Sequence, residues 1–338
     1  MTDGLILAIE TSCDETAVAL ADLDGRILGS YVSSQVALHA PYGGVVPELA
    51  SRNHNVDLRP LVAHALDDQG VARDQLALIA ATSGPGLASS LLIGDTTAKA
   101  IAVGLSLPFY SINHMEGHLL SPFIGGEGEI PEHLGLIVSG GHTLLVDVAG
   151  TADYEVIGST KDDAAGEAFD KVGKILGLPY PGGPEISRLA SGGRRDAFDF
   201  PRSMIHSGDF EFSFSGLKTA VLYTRKKMGA EIEESVLRDL CASFEEAVVD
   251  VLVAKTLAAS RGRGKKILAL SGGVSCNDRL RERLLEEASA AGCQCQVSDR
   301  KFSTDNAAMI AFAAAKRHQA GIAPDSLHAD IDPNWKLG

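Results

Sequence analysis

The chain has 338 residues, 45% of them apolar, with 36 glycines and a net charge of −14. That length and glycine content fit two α/β domains better than one small core. No run of about 18 apolar residues is present to span a membrane, and the acidic balance argues against broad electrostatic attraction to nucleic acid.

In chain order, MTDGLILAIETSCDE lacks a basic segment ahead of its apolar run, so it reads as a buried strand over 5–12 and not as a signal peptide. Short turns lead to strands over 17–23 and 26–34, a meander. A helix is predicted from Pro47, a strand over 76–83 entering Gly84-Pro85-Gly86, a helix over 87–105 and a strand over 108–113. The order then returns. Strands are predicted over 133–141, 142–150 and 154–160, helices over 164–177, 184–191 and 235–260, a strand over 265–273, a helix over 277–292, a strand over 293–298 and a closing helix from 305. Residues 192–234 form the main insertion. Two copies of β-β-β-α-β-α-β predict two similar α/β halves, a pattern that resembles the duplicated ribonuclease-H-like fold of the actin, sugar kinase and Hsp70 ATPase (ASKHA) superfamily. That resemblance implies ATP in an interdomain cleft. The expected division is 1–112 for the first domain, with 305–338 packing back on it, and 113–304 for the second.

INHMEGHLLSP, ending at Pro122, holds two histidines four apart with a glutamate between them. At ~100° per helical residue, His114 and His118 share a face, while Glu116 lies ~200° around from His114. A zincin needs H-E-x-x-H, with the glutamate beside the metal to polarise its water. The order H-x-E-x-H keeps a metal pair and weakens a protease mechanism. A third ligand is offered by FSTDNAAMIA, where Thr304 or Asp305 is expected to cap the last helix. Asp305 follows the last strand of the second half, as the histidines follow the last strand of the first, so pseudo-symmetry should bring the three together. Two imidazoles and a carboxylate suit Fe(II), Zn(II) or Mn(II).

Three small-residue turns end equivalent strands: Thr11 to Thr16, Ser139-Gly140-Gly141-His142 and Ser271-Gly272-Gly273-Val274. Such turns bare backbone N–H groups to a phosphate. Neither a P-loop nor GxGxxG is present. Asp170, opening an amphipathic helix, is suited either to ribose hydroxyls or to a cap. The five cysteines are an odd, scattered set that fits a reducing cytosol.

IETSCDETAVAL, INHMEGHLLSP, LIVSGGHT, GEAFDKVGKILGLPYPGGPEI, FSFSGLKTAV, LSGGVSCNDRLR and STDNAAMIA occur in that order over nearly the whole chain. Together they resemble the TsaD family of tRNA threonylcarbamoyladenosine synthesis proteins, formerly described as sialoglycoprotein endopeptidases. The resemblance implies transfer of a threonylcarbamoyl group from threonylcarbamoyl-AMP to the exocyclic amine of the adenosine 3′ of the anticodon, in tRNAs reading codons that begin with A. It implies a divalent metal, Fe(II) first, on His114, His118 and Asp305. It places threonylcarbamoyl-AMP or ATP on Ile137, Val138, Ser139, Gly140, Gly141, Asp170, Gly183 and Asn277, with Glu10, Ser12 and Asp14 near the reacting group. Ser187 stands where the family often has aspartate. The implied partners are tRNA, an inactive TsaB-like paralogue and a small TsaE-like ATPase, and the implied compartment is the bacterial cytoplasm. The competing expectations are a metalloprotease and a small-molecule kinase of the same fold.

Overall fold

A computed structural model describes residues 4–229 and 231–338. The chain separates into two compact units, one holding residues up to Ile130 with Gly150–Tyr154 and Thr304–Gly338, the other Pro131–Ala149 and Glu155–Ser303. Residues 113–130, assigned to the second half on sequence, therefore stay with the first unit.

In the first part of the chain, β1 (Leu5–Glu10), β2 (Glu15–Asp22) and β3 (Ile27–Ser34) are followed by α1 (Val36–His39), α2 (Pro47–Asp68), β4 (Leu76–Gly84), α3 (Ala88–Leu105), β5 (Phe109–Asn113) and α4 (His114–Leu120). Next come β6 (His133–Val138), β7 (Thr143–Gly150), β8 (Asp153–Ser159), α5 (Ala165–Leu176), α6 (Gly182–Ala190), α7 (Ser215–Lys227) and α8 (Glu234–Arg263). The chain ends with β9 (Ile267–Ser271), α9 (Asp278–Ala290), β10 (Gln294–Val297) and α10 (Ala307–Gln319).

The strand orders are β3-β2-β1-β4-β5 and β8-β7-β6-β9-β10, one topology used twice. In each sheet the first strand pairs antiparallel with the second and parallel with the fourth: Leu7 opposes Leu20 and Ile79, and Leu136 opposes Leu145 and Leu270. Parallel pairing requires a helical crossover, and helices on both faces explain why β1 and β6 read as continuous apolar runs. Leu7 and Ile9 pack with Leu58 of α2 and Ala98 of α3. By alternation Ile6 and Ala8 lie on the opposite face, the one covered by α10, which packs on β1 and β2. α10 is buried from Ala307 through Lys316, and its run of alanines lets it lie close to the sheet.

The insertion contributes to the core of the second unit. Phe200, Phe212, Phe214, Leu217 and Val221 are buried with Phe169 and Phe244. Its helix α7 starts where Asp162, distant in sequence, accepts hydrogen bonds from the Phe214 and Ser215 N–H groups at 2.8 and 3.1 Å. Among the described residues no helix is long and apolar enough to cross a membrane.

Candidate active site

The histidine pair lies on a helix because Asn113 starts one: its side chain accepts from the Met115 N–H at 2.9 Å, and α4 then carries His114 and His118 one turn apart. Asp305 arrives from the turn before α10. Neither Thr304 nor Asp305 caps that helix. The cap is Asn306, whose side chain accepts from the Met309 N–H at 3.0 Å, and this leaves the Asp305 carboxylate free to meet the histidines. Asp305 Oδ1 lies 3.0 Å from His118 Nε2 and 3.4 Å from His114 Nε2. One donor atom from each of the three falls within 4.8 Å of the others, and all three belong to the first unit.

Glu10 and Ser12 stand behind His114. Glu10 Oε2 is 3.0 Å and Ser12 Oγ 3.1 Å from His114 Nδ1. A carboxylate only accepts, so Nδ1 carries the hydrogen and Nε2 is the nitrogen turned toward Asp305. Glu10 is fully committed, accepting also from the Ser12 N–H and the Thr82 hydroxyl. Asp14 is half-buried in the same turn. That turn is held by Leu87 N–H to the Ser12 carbonyl at 2.8 Å, the Thr11 hydroxyl to the Ser90 carbonyl at 2.9 Å, and His54 Nε2 to the Cys13 carbonyl at 3.0 Å. Burial opposes a charge on His114, but Glu10 and Asp305 outweigh it and push its pKa up to about 10. Burial holds the His118 imidazole below its ordinary value, against the pull of Asp305. Burial alone would raise Glu10 and Asp305, yet His114 brings both carboxyls down. His118 Nδ1 is buried without a hydrogen-bond partner.

Glu116 takes no part in this set. It is fully buried, 2.7 Å from Arg317 Nη2, and accepts from the Tyr154 hydroxyl at 3.1 Å. A carboxylate tied to a guanidinium on the far side of α4 has the wrong position to activate water at the histidines, so the H-x-E-x-H order carries no zincin geometry.

The second unit holds a cavity of about 850 Å³. Of the residues singled out in the sequence, Gly140, Asp170, Gly183, Asn277 and Ser187 line it. Ile137 and Val138 lie inside β6 with fully buried side chains, and Ser139 and Gly141 flank Gly140 in the turn that follows. Two glycines make the close approach possible. Gly272 has φ +86°, and an added Cβ would run into the Val138 carbonyl; a Cβ on Gly166 would meet the Ser139 carbonyl. Asp170 accepts from the Gly182 N–H at 2.8 Å and so fixes the start of α6 at the cavity wall. Glu245 of α8 also lines the cavity, with Arg195 and Arg279. Arg279 belongs to LSGGVSCNDRLR and Arg195 to the basic pair Arg194-Arg195, whereas Glu245 stood out by no motif. The one available signal was a pair of acids, Glu245-Glu246, within the otherwise apolar stretch of α8.

Residues 26–312 match the TsaD family, described as tRNA N6-adenosine threonylcarbamoyltransferase. The chain is 48% identical over 340 residues to the tRNA N6-adenosine threonylcarbamoyltransferase of Ralstonia pickettii (strain 12J), covering 98% of this chain and 97% of the relative. It is 49% identical over 334 residues to the enzyme of that name from Geobacter metallireducens (strain ATCC 53774 / DSM 7210 / GS-15), covering 98% and 97%. Among solved structures it superposes on T. kodakarensis HypF with a TM-score of 0.64 at 15% identity, over 94% of this chain and 49% of that one, which supports the ASKHA-type fold. With a profile match across most of its length and near-full-length relatives at almost half identity, the chain belongs to the TsaD family and is a transferase.

Proposed function

We propose that this chain transfers the threonylcarbamoyl group of threonylcarbamoyl-AMP to the exocyclic amine of the adenosine 3′ of the anticodon, in tRNAs reading codons that begin with A. The observation that carries this reading is the convergence of buried His114 and His118 with half-buried Asp305, in a chain whose relatives are named for the transfer. In the reaction a C–N bond forms to the carbamoyl carbon, the C–O bond to the AMP phosphate breaks, AMP leaves with the electron pair, and the amine gives up a proton. The anhydride is already activated, so the protein's work is mostly positioning and charge stabilisation.

His114, His118 and Asp305 fit a divalent metal, since two imidazoles and a carboxylate converge and His114 presents Nε2 to the set. Fe(II) is the ion the family resemblance implies, and Zn(II) or Mn(II) suit the same donors. Bound there, such an ion would supply Lewis acidity toward phosphate or carbonyl oxygens. Glu10 and Ser12 orient His114. Asp14, half-buried in the same turn, is the further carboxylate that the family resemblance brings near the reacting group. The nucleotide would occupy the cavity of the second unit, its phosphate at the glycine turns around Gly140 and Gly273 and its ribose near Asp170 and Gly183. The net charge of −14 disfavours tight tRNA binding by this chain alone. tRNA binding is therefore shared with partners, a TsaB-like paralogue and a TsaE-like ATPase, in the cytoplasm where tRNA resides.

The test is to incubate the chain with these partners, threonylcarbamoyl-AMP and an unmodified tRNA of this class, then weigh the tRNA nucleosides, with His114→Ala in parallel. Modified adenosine in the first sample and not the second is expected. Modification in both removes the metal from the chemistry, and modification in neither, with all components shown active, rejects the donor or acceptor assigned here.

A further inference from the structure

Asn277 ends the glycine turn after β9 and caps α9. Its Oδ1 accepts from the Leu280 N–H at 2.8 Å, which settles the orientation of the amide. Nδ2 therefore points the other way, and both of its hydrogens are used: one goes to Glu245 Oε1 at 2.6 Å and the other to Ser187 Oγ at 2.8 Å. An amide has two N–H donors, so Asn277 has no donor left for a ligand. Glu245 is only 4% exposed, yet it lines the cavity. A carboxylate accepts through two oxygens with about four lone-pair sites, so it keeps acceptor capacity after the bond from Asn277. Burial pushes its carboxyl above the ordinary value, against the bonds from Asn277 and Ser187. A further donor from a ligand would favour the charged form.

We propose that Glu245 is a specificity-determining residue of this cavity, accepting an N–H or O–H of the bound nucleoside, and that Asn277 positions it. The inference rests on the reading of the cavity as a nucleotide site. The required ligand chemistry is a hydrogen-bond donor on the nucleoside, either the exocyclic amine of adenine or a ribose hydroxyl. A site with a buried acceptor discriminates against an analogue that leaves it unpaired.

The experiment is calorimetric titration of the full chain with AMP, inosine monophosphate, 2′-deoxy-AMP and 3′-deoxy-AMP, for the unaltered protein and for Glu245→Gln. In the variant the glutamine oxygen can still accept from Asn277, which turns its NH2 toward the ligand. The unaltered chain is expected to prefer AMP over one class of analogue by about tenfold or more, the size of a charge-assisted hydrogen bond. Glu245→Gln should weaken AMP and erase that preference. Loss of the preference over inosine monophosphate places Glu245 at the base amine; loss of the preference over a deoxy analogue places it at the ribose. A ribose hydroxyl can also accept from the glutamine NH2, so the ribose arm is repeated with Glu245→Ala. If Glu245→Gln keeps the preference over inosine monophosphate and Glu245→Ala keeps those over the deoxy analogues, Glu245 does not touch the nucleoside and the inference falls. If AMP fails to bind the unaltered chain, the nucleotide reading of the cavity falls and takes this inference with it. Thermal unfolding checks the fold of the variant, and Glu245→Asp, which keeps the charge but draws it back, carries the same comparison should the glutamine variant not fold.

Discussion

The two polar regions of this protein differ in how much backbone they use. The candidate metal set of the first unit is made of side chains: His114 and His118 from one turn of α4 and Asp305 from the turn before α10, with Glu10 behind. The cavity of the second unit combines bare backbone at Gly140, Gly166, Gly183 and Gly273 with side chains such as Asp170, Glu245 and Asn277. A side-chain site is abolished by removing one donor. A wall that includes glycine turns also fails when a Cβ is added where the chain must pass close.

The largest expected effect is His118→Ala, which removes one of three donors. Changing even an outer partner of a metal ligand typically costs 10–100-fold in affinity, so at least ~100-fold is expected here. Metal analysis after dialysis should show the loss while AMP binding persists; parallel loss of both would break the comparison. Glu116→Ala tests the neighbouring carboxylate. It leaves Arg317 buried without its partner, so stability should drop by about 3 kcal/mol in denaturant unfolding, and metal content should stay. A variant depleted of metal would return Glu116 to the ligand set. Gly272→Ala imposes a side chain at φ +86°, a strain of about 1–3 kcal/mol. It should weaken AMP and leave the metal, and unaltered AMP affinity would show that the turn does not shape the cavity.

The smallest effect expected is a pH dependence at α7. Burial would raise Asp162, but the hydroxyls of Ser213 and Ser215 and the two N–H groups it caps hold it at about 2, below the ordinary 3.8. The folded carboxyl is the stronger acid, so the unfolded chain binds more protons as pH falls. The stability Asp162 contributes is present above about 4 and is lost as pH drops toward about 2. Asp162→Asn should flatten the acid side of the stability curve over that window; an unchanged curve would show that the cap carries none of it.

The local half of this molecule was legible in its residues. Apolar runs of strand length, glycine turns and the i, i+4 histidines are short-range signals, and the duplicated order of elements is visible because each element declares itself within ten to twenty residues. The H-x-E-x-H spacing alone turned Glu116 away from the histidines. The cap of α10 was misplaced by one or two residues, because Thr304, Asp305 and Asn306 are all competent caps and only the fold shows that Asp305 is engaged elsewhere. Helix α7 was hidden in the insertion because its start depends on Asp162, some fifty residues earlier.

The sequence by itself determined the two α/β halves, the candidate donors His114, His118 and Asp305, and the likeness to the family, since these depend on periodicity, residue chemistry and ordered motifs. Only the tertiary structure decided that Glu10 locks His114, that Glu116 pairs with Arg317, and that Glu245, Asn277 and Ser187 share one hydrogen-bonded wall. Each of those contacts joins residues far apart in the chain, and a buried polar group takes its role from whichever partner the packing brings within hydrogen-bond reach.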